Sequence, residues 1–166
     1  MEFNISGKKW EVIANSGSIL MFRGEFKYSL DEKGRLMIPA RVRTEILGNT
    51  LIITRGVERC LWLFTPEEWK RIAGSLLDST SLFQEKARLI QRRIIAPAQD
   101  IEIDRSGRIS IPSTLRDYAG LQKECKILAI QTYIEIWDDE IYTGYLDETE
   151  VRFKEAAEAI GNKMAQ

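Results

Sequence analysis

The sequence predicts an α+β protein made of two tandem ββαββ repeats, with a helical hairpin between the copies and a helix after the second. Three observations predict it. Residues 31–43, DEKGRLMIPARVR, return as residues 104–116, DRSGRISIPSTLR, with six of thirteen positions identical. The same 73-residue offset aligns Leu61-Trp62-Leu63-Phe64 with Ile134-Glu135-Ile136-Trp137, so register survives a middle section that hides a compensating insertion and deletion. Between the copies, apolar residues recur at helical rather than strand spacing.

The first repeat opens on an alternating strand, FKYSL, at residues 26–30. A turn follows at Asp31-Glu32-Lys33-Gly34: aspartate can bond its own backbone two residues on, and glycine at the fourth position supplies a positive φ. Residues 35–38 form a second strand. Pro39 holds Ile38 extended and suits the first position of a short helix over residues 39–47. LIITRG (51–56) and CLWLF (60–64) are two further strands, rich in branched and aromatic side chains. The second repeat has the same order: DIEID, a turn, RISIP, the helix STLRDYAG, then KILAIQ and YIEIW.

In the insert, Thr65, Pro66 and Glu68 make a capping box, and Trp69, Ile72, Leu76 and Leu77 share one helical face. A second box, Ser81-x-x-Gln84, starts a helix with Phe83, Ala87, Ile90 and Ile94 on its inner stripe. Lys86, Arg88, Arg92 and Arg93 make this helix basic. After Trp137, Asp138 and Glu140 open an acidic helix with Ile141, Tyr145 and Phe153 facing inward. Trp62, Trp69 and Trp137 are expected in the core rather than as stacking platforms.

Composition narrows the chemistry. The chain has no histidine, and its two cysteines, Cys60 and Cys125, stand far apart. Histidine triads, histidine metal sites and four-cysteine zinc sites are thereby excluded, and the cysteines are expected as reduced core thiols. No paired-carboxylate site stands out. The expectation is a non-enzyme with no catalytic residues, metal, cofactor or small-molecule substrate. No apolar run approaches a membrane span and residues 1–20 lack a secretory centre, so the reading is cytoplasmic with no membrane partner. The formal charge of −1 hides an uneven distribution. Residues 21–60 carry eight Lys/Arg against five Asp/Glu, and residues 135–158 carry two against nine.

MFRGEFKYSLDEKGRLMIPARVR, ITRG, CLWLFTPEEW, and then IEIDRSGRISIPSTLRDYAGL with IEIWD resemble the MraZ family over about residues 21–145. The resemblance implies an AbrB-like, swapped-hairpin, double-split β-barrel made of two SpoVT-AbrB modules. These would be residues 25–67 and 98–141, separated by the hairpin at 68–97 and followed by an acidic helix and tail at 142–166. It further implies a nucleoid-associated transcriptional regulator of the division and cell-wall gene cluster. Such a protein binds G-rich direct repeats in double-stranded DNA upstream of its own gene, as a ring-shaped homo-oligomer. Residues 1–20 precede the family's usual MFRG start and are expected to be a leader outside the native protein, with Met21 as the start.

The resemblance maps the family's Asp-x-x-x-Arg signature onto Asp31 with Arg35 and onto Asp104 with Arg108. Aspartate and arginine at the two ends of one tight turn can pair, presetting a guanidinium that bridges guanine O6 and N7 or grips phosphate. Lys33 and Arg105, at the turn tips, are candidate phosphate contacts. The plainer alternative is a pair that only stabilises its hairpin, worth about 0–1 kcal/mol. Arg43 and Arg116 recur on the short helices and are expected to brace their own modules. An AbrB-like antitoxin, or a scaffold without DNA binding, are the competing readings.

Overall fold

The computed structural model describes residues 22–78 and 81–166; the leader expected at 1–20 lies outside them. The first repeat contains β1 (Phe22–Ser29), β2 (Arg35–Met37), α1 (Ala40–Arg43), β3 (Thr50–Arg55) and β4 (Leu61–Phe64). The insert holds α2 (Pro66–Asp78) and α3 (Glu85–Ile90), the latter running into a π-turn at Gln91–Ile95. The second repeat follows with β5 (Gln99–Glu102), β6 (Arg108–Ser110), α4 (Ser113–Ala119), β7 (Glu124–Gln131) and β8 (Tyr133–Asp138). The last element is α5 (Asp139–Met164).

The two repeats are woven through each other. β1 pairs antiparallel with β7 of the second repeat, β5 pairs with β3 of the first, and β4 lies beside β8. The resulting order, β1-β7-β8-β4-β3-β5, reads identically from either end when each strand is exchanged for its repeat counterpart. β2 and β6 form a separate two-stranded ribbon, centred on Leu36 opposite Ile109. The hydrogen-bonded sheet leaves β1 and β5 at its edges. The ribbon covers the open side with side chains, burying Leu36, Ile38, Ile109 and Ile111 in the same core as Leu51, Leu63, Ile127 and Ile136. This is the mixed α+β, split-barrel arrangement expected for two such repeats. Its strand crossings also explain why neither copy buries its apolar faces alone.

The compensating insertion and deletion are visible in the hairpins. Ile53 faces Leu63 in the first, and Ile127 faces Ile136 in the second. The offset between the copies is thus 74 residues from β3 to β7 and returns to 73 from β4 to β8, because the β3–β4 connection is one residue longer.

Several local expectations change. β1 begins at Phe22, four residues early, because it has the full length of β7 to pair with. α1 is a single turn, and Pro39 (φ −52°, ψ 134°) is its extended N-cap rather than its first helical residue. The Thr65 hydroxyl accepts from Glu68 N–H at 3.3 Å, the cap half of the expected box, while the Glu68 carboxylate pairs with Arg71. The second box does not form. Ser81 Oγ accepts from Phe83 N–H instead, Gln84 N–H turns to the Ser81 carbonyl, and the helix starts at Glu85. Phe83 therefore stays outside the helix, 95% exposed, and the inner stripe contracts to Ala87 and Ile94. Phe153 also points to solvent.

Trp137 is buried, whereas Trp62 and Trp69 are half-buried in an aromatic cluster with Phe64 and Tyr133. Cys60 and Cys125 are free, buried thiols. Burial pushes both upward, Cys125 to about 12, which keeps them protonated and unreactive. Asp138 caps α5 by accepting from Glu140 and Ile141 N–H. Among the described residues no helix is long and apolar enough to cross a membrane.

Candidate nucleic-acid interface

The two signature turns have one construction. Asp31 Oδ1 accepts from the N–H groups of Lys33 (2.9 Å) and Arg35 (2.8 Å), while Gly34 N–H closes the turn on the Asp31 carbonyl. Asp104 Oδ1 accepts from Ser106 (2.8 Å) and Arg108 (3.0 Å), with Gly107 in the closing place. The closing glycines have φ of +75° and +82°, the left-handed region that favours glycine. Each carboxylate thus fixes the backbone of its turn and still has a second oxygen free for an arginine.

That second oxygen joins the copies. Arg35 Nε–H donates to Asp31 Oδ2 at 2.7 Å, and Arg108 Nη1 approaches the same oxygen at 3.8 Å. Arg108 Nε lies 3.4 Å from Asp104 Oδ2 without a hydrogen bond. The β2–β6 ribbon causes this convergence by setting Arg108 opposite Met37 and Arg35 opposite Ser110. The ribbon is extended at both ends, where Ile38 N–H donates to the Gly107 carbonyl and Ile111 N–H to the Gly34 carbonyl, both at 2.9 Å. Two guanidinium groups, each about 30% exposed, therefore stand around one carboxylate, flanked by the exposed cations Lys33 and Arg105 at the turn tips. Asp31, Arg35, Asp104 and Arg108 thus meet in one patch, while Lys33 and Arg105 stand exposed on the two turns at opposite ends of the ribbon. The sequence paired each aspartate only with its own arginine and did not show Asp31 reaching across.

Arg43 and Arg116 correct a second expectation. Each braces the opposite module rather than its own. A β-carbon on Gly34 would lie 2.6 Å from Arg116 Cζ, and one on Gly107 would collide with the Arg43 guanidinium. The short helix of each repeat thus lays its arginine over the turn of the other, and both Nε atoms are buried there without a hydrogen bond. The recurrence of an arginine and a glycine in each copy was visible in sequence; the crossing follows from strand exchange, which sequence spacing does not report. Gly107→Ala is expected to cost about 1–2 kcal/mol through left-handed strain and to dislodge Arg43. Denaturant midpoints for Gly107→Ala, Arg43→Ala and the double variant check this, with the two effects less than additive.

Electrostatics at the turns are those of anchored carboxylates. The Arg35 backbone N–H holds the Asp31 carboxyl below its ordinary range, aided by the Arg35 guanidinium and the Lys33 N–H. The Arg108 and Ser106 N–H groups do the same for Asp104. A lowered folded-state value contributes stability above the unfolded value, near pH 4, and that contribution is lost as pH falls through the folded value. Asp31→Asn is expected to be less stable than the parent at pH 6, with the gap closing below about pH 4. Melting temperatures of both proteins across that range check it.

Comparisons with known proteins identify the family. A family model described as "MraZ protein, putative antitoxin-like" matches the chain twice, over residues 21–93 and 94–163. A protein of Treponema denticola named "Transcriptional regulator MraZ" is 52% identical over 138 residues, 83% of this chain and 96% of its own length. Proteins of the same name from Treponema pallidum and Halothermothrix orenii are 44% and 41% identical. The first covers 84% of this chain and 93% of itself, the second 84% and 96%. Two tandem matches, together spanning both woven repeats, place the chain in the MraZ family.

Proposed function

We propose that the protein is a sequence-specific DNA-binding transcriptional regulator that uses the paired turns as its reading head. The convergence of Arg35 and Arg108 on Asp31 is the observation that carries this reading. A guanidinium tethered through Nε keeps its terminal N–H groups available for a guanine edge in a fixed orientation. Lys33 and Arg105, exposed on the two flanking turns, are the phosphate contacts in this reading, which position a protein on DNA without reading sequence. The name carried by the relatives supports the regulatory role. The family resemblance supports G-rich direct repeats upstream of the protein's own gene, within a division and cell-wall cluster, as the target.

A chain with formal charge −1 and a small cationic patch gains little from counterion release alone. A ring that sets several such patches on consecutive repeats supplies the missing affinity, which supports a homo-oligomer as the binding form. Replacing guanine by 7-deazaguanine within the repeats removes the N7 acceptor while leaving every phosphate in place. An affinity loss of about tenfold per box is expected, equivalent to about 1.4 kcal/mol, and unchanged affinity would exclude guanine reading by the arginine pair.

A further inference from the structure

The two signature aspartates are equivalent in sequence and unequal in the fold. Oδ1 of each is taken up by two backbone N–H groups of its own turn. They part at Oδ2. Asp31 Oδ2 accepts from Arg35 Nε–H at 2.7 Å and also lies 3.8 Å from Arg108 Nη1, so it faces one arginine from each repeat. Asp104 Oδ2 faces Arg108 alone, with Nε 3.4 Å away and no hydrogen bond between them. The four side chains carry two charges of each sign. The cations around them, Lys33 and Arg105 at the turn tips and Arg43 and Arg116 over the glycines, make no ion pair among the described residues.

We propose that Asp31 is the positioning residue that sets base discrimination, holding the arginine pair to a base edge and withholding it from phosphate, with Asp104 in a lesser part. The inference rests on the DNA-reading function above and names the residue that governs it. A guanidinium whose Nε–H is bound to a carboxylate presents its remaining N–H groups in one direction, as the two acceptors of a guanine edge require. The same carboxylate repels a phosphate and offsets the charge that would attract one. Tethered arginines therefore gain little on DNA that offers no matching base. Released from Asp31, Arg35 becomes a mobile cation that any phosphate can hold, and Arg108 keeps only its looser contact with Asp104. Non-specific attraction is left to the unpaired cations around the pair.

Asp31→Asn tests it with the turn kept. The asparagine carbonyl replaces Oδ1 as acceptor for the Lys33 and Arg35 N–H groups. Its amide NH₂ then meets Arg35 Nε–H donor to donor, and the tether is lost. Asp104→Asn makes the same exchange where no arginine hydrogen bond exists to lose. Asp31→Ser, which also keeps a turn acceptor and removes the carboxylate, should repeat the Asp31→Asn result. Melting data set an assay temperature at which every variant is folded. The full chain is titrated over a range of salt against a duplex of the G-rich repeats and a shuffled duplex of the same composition. In Asp31→Asn the preference for the repeats should fall about tenfold or more, the scale of a lost bidentate base contact. Affinity for the shuffled duplex should rise, its log–log salt slope steepening by about 0.9 for each arginine released to a phosphate. Asp104→Asn should change both quantities less. A turn-stabilising role alone would weaken both duplexes together, and that result overturns the proposal. So does an unchanged preference in Asp31→Asn, or an equal effect of Asp104→Asn. A parent that does not itself distinguish the duplexes would overturn the DNA-reading function, whereas a discriminating parent with an equally discriminating Asp31→Asn removes only the role of Asp31.

Discussion

Arg35→Ala is expected to abolish specific DNA binding while leaving assembly and thermal stability nearly unchanged. The Arg35 side chain is about 30% exposed, and an exposed ion pair contributes about 0–1 kcal/mol to stability. Asp31 also keeps its two backbone hydrogen bonds when the guanidinium is gone. A lost bidentate base contact, by contrast, removes about 1–3 kcal/mol of discrimination in every engaged subunit, and the losses multiply across an oligomer. Arg108→Ala should do less, because Arg108 is held at 3.4 and 3.8 Å rather than by a 2.7 Å hydrogen bond, and so is less preset. Arg35→Lys separates charge from shape: salt-dependent, sequence-independent binding should persist while discrimination between boxes disappears. Binding titrations beside size-exclusion and melting data check all three variants.

The second large effect concerns repeat number. A duplex with several boxes in one helical phase is expected to bind about 10²–10⁴ times tighter than a single-box duplex, because each further turn engages at high local concentration. Moving one box by half a helical turn should remove most of its share, since the proposed ring, if rigid, could not follow it to the opposite face. Competition between such duplexes under constant salt measures both quantities. Equal affinity for one box and for several would show that subunits bind independently.

Much of this arrangement was legible before the structure. Asp31, Gly34, Arg35 and Pro39 each have a local reason for their place, and their return at Asp104, Gly107, Arg108 and Pro112 marked two copies of one unit. Thr65 and Glu68 identified the start of α2 for the same reason: a cap acts within a few residues. The exchange of β1 and β5 between repeats was different, because antiparallel strands of either copy would satisfy the same alternation. The resemblance supplied the weave, and the crossed bracing by Arg43 and Arg116 became visible only with it. Ser81 and Gln84 had the spacing of a capping box and did not form one; the Ser81 hydroxyl found Phe83 N–H closer at hand. Phe83 and Phe153 matched inward helical stripes by type and spacing. Both are exposed, because a matching stripe says which residues share a helix face and not which face the fold turns inward.

Retention of DNA taken from immediately upstream of the protein's own gene tests the central claim most directly. The full chain is titrated at physiological salt against that fragment and against a shuffled fragment of the same composition. Binding of the native fragment is expected in the 10⁻⁸–10⁻¹¹ M range, roughly 10³-fold or more tighter than the shuffled one, with Arg35→Ala reducing the first to the level of the second. Equal affinity for the two fragments, or a native fragment bound as well by Arg35→Ala as by the parent, would contradict it.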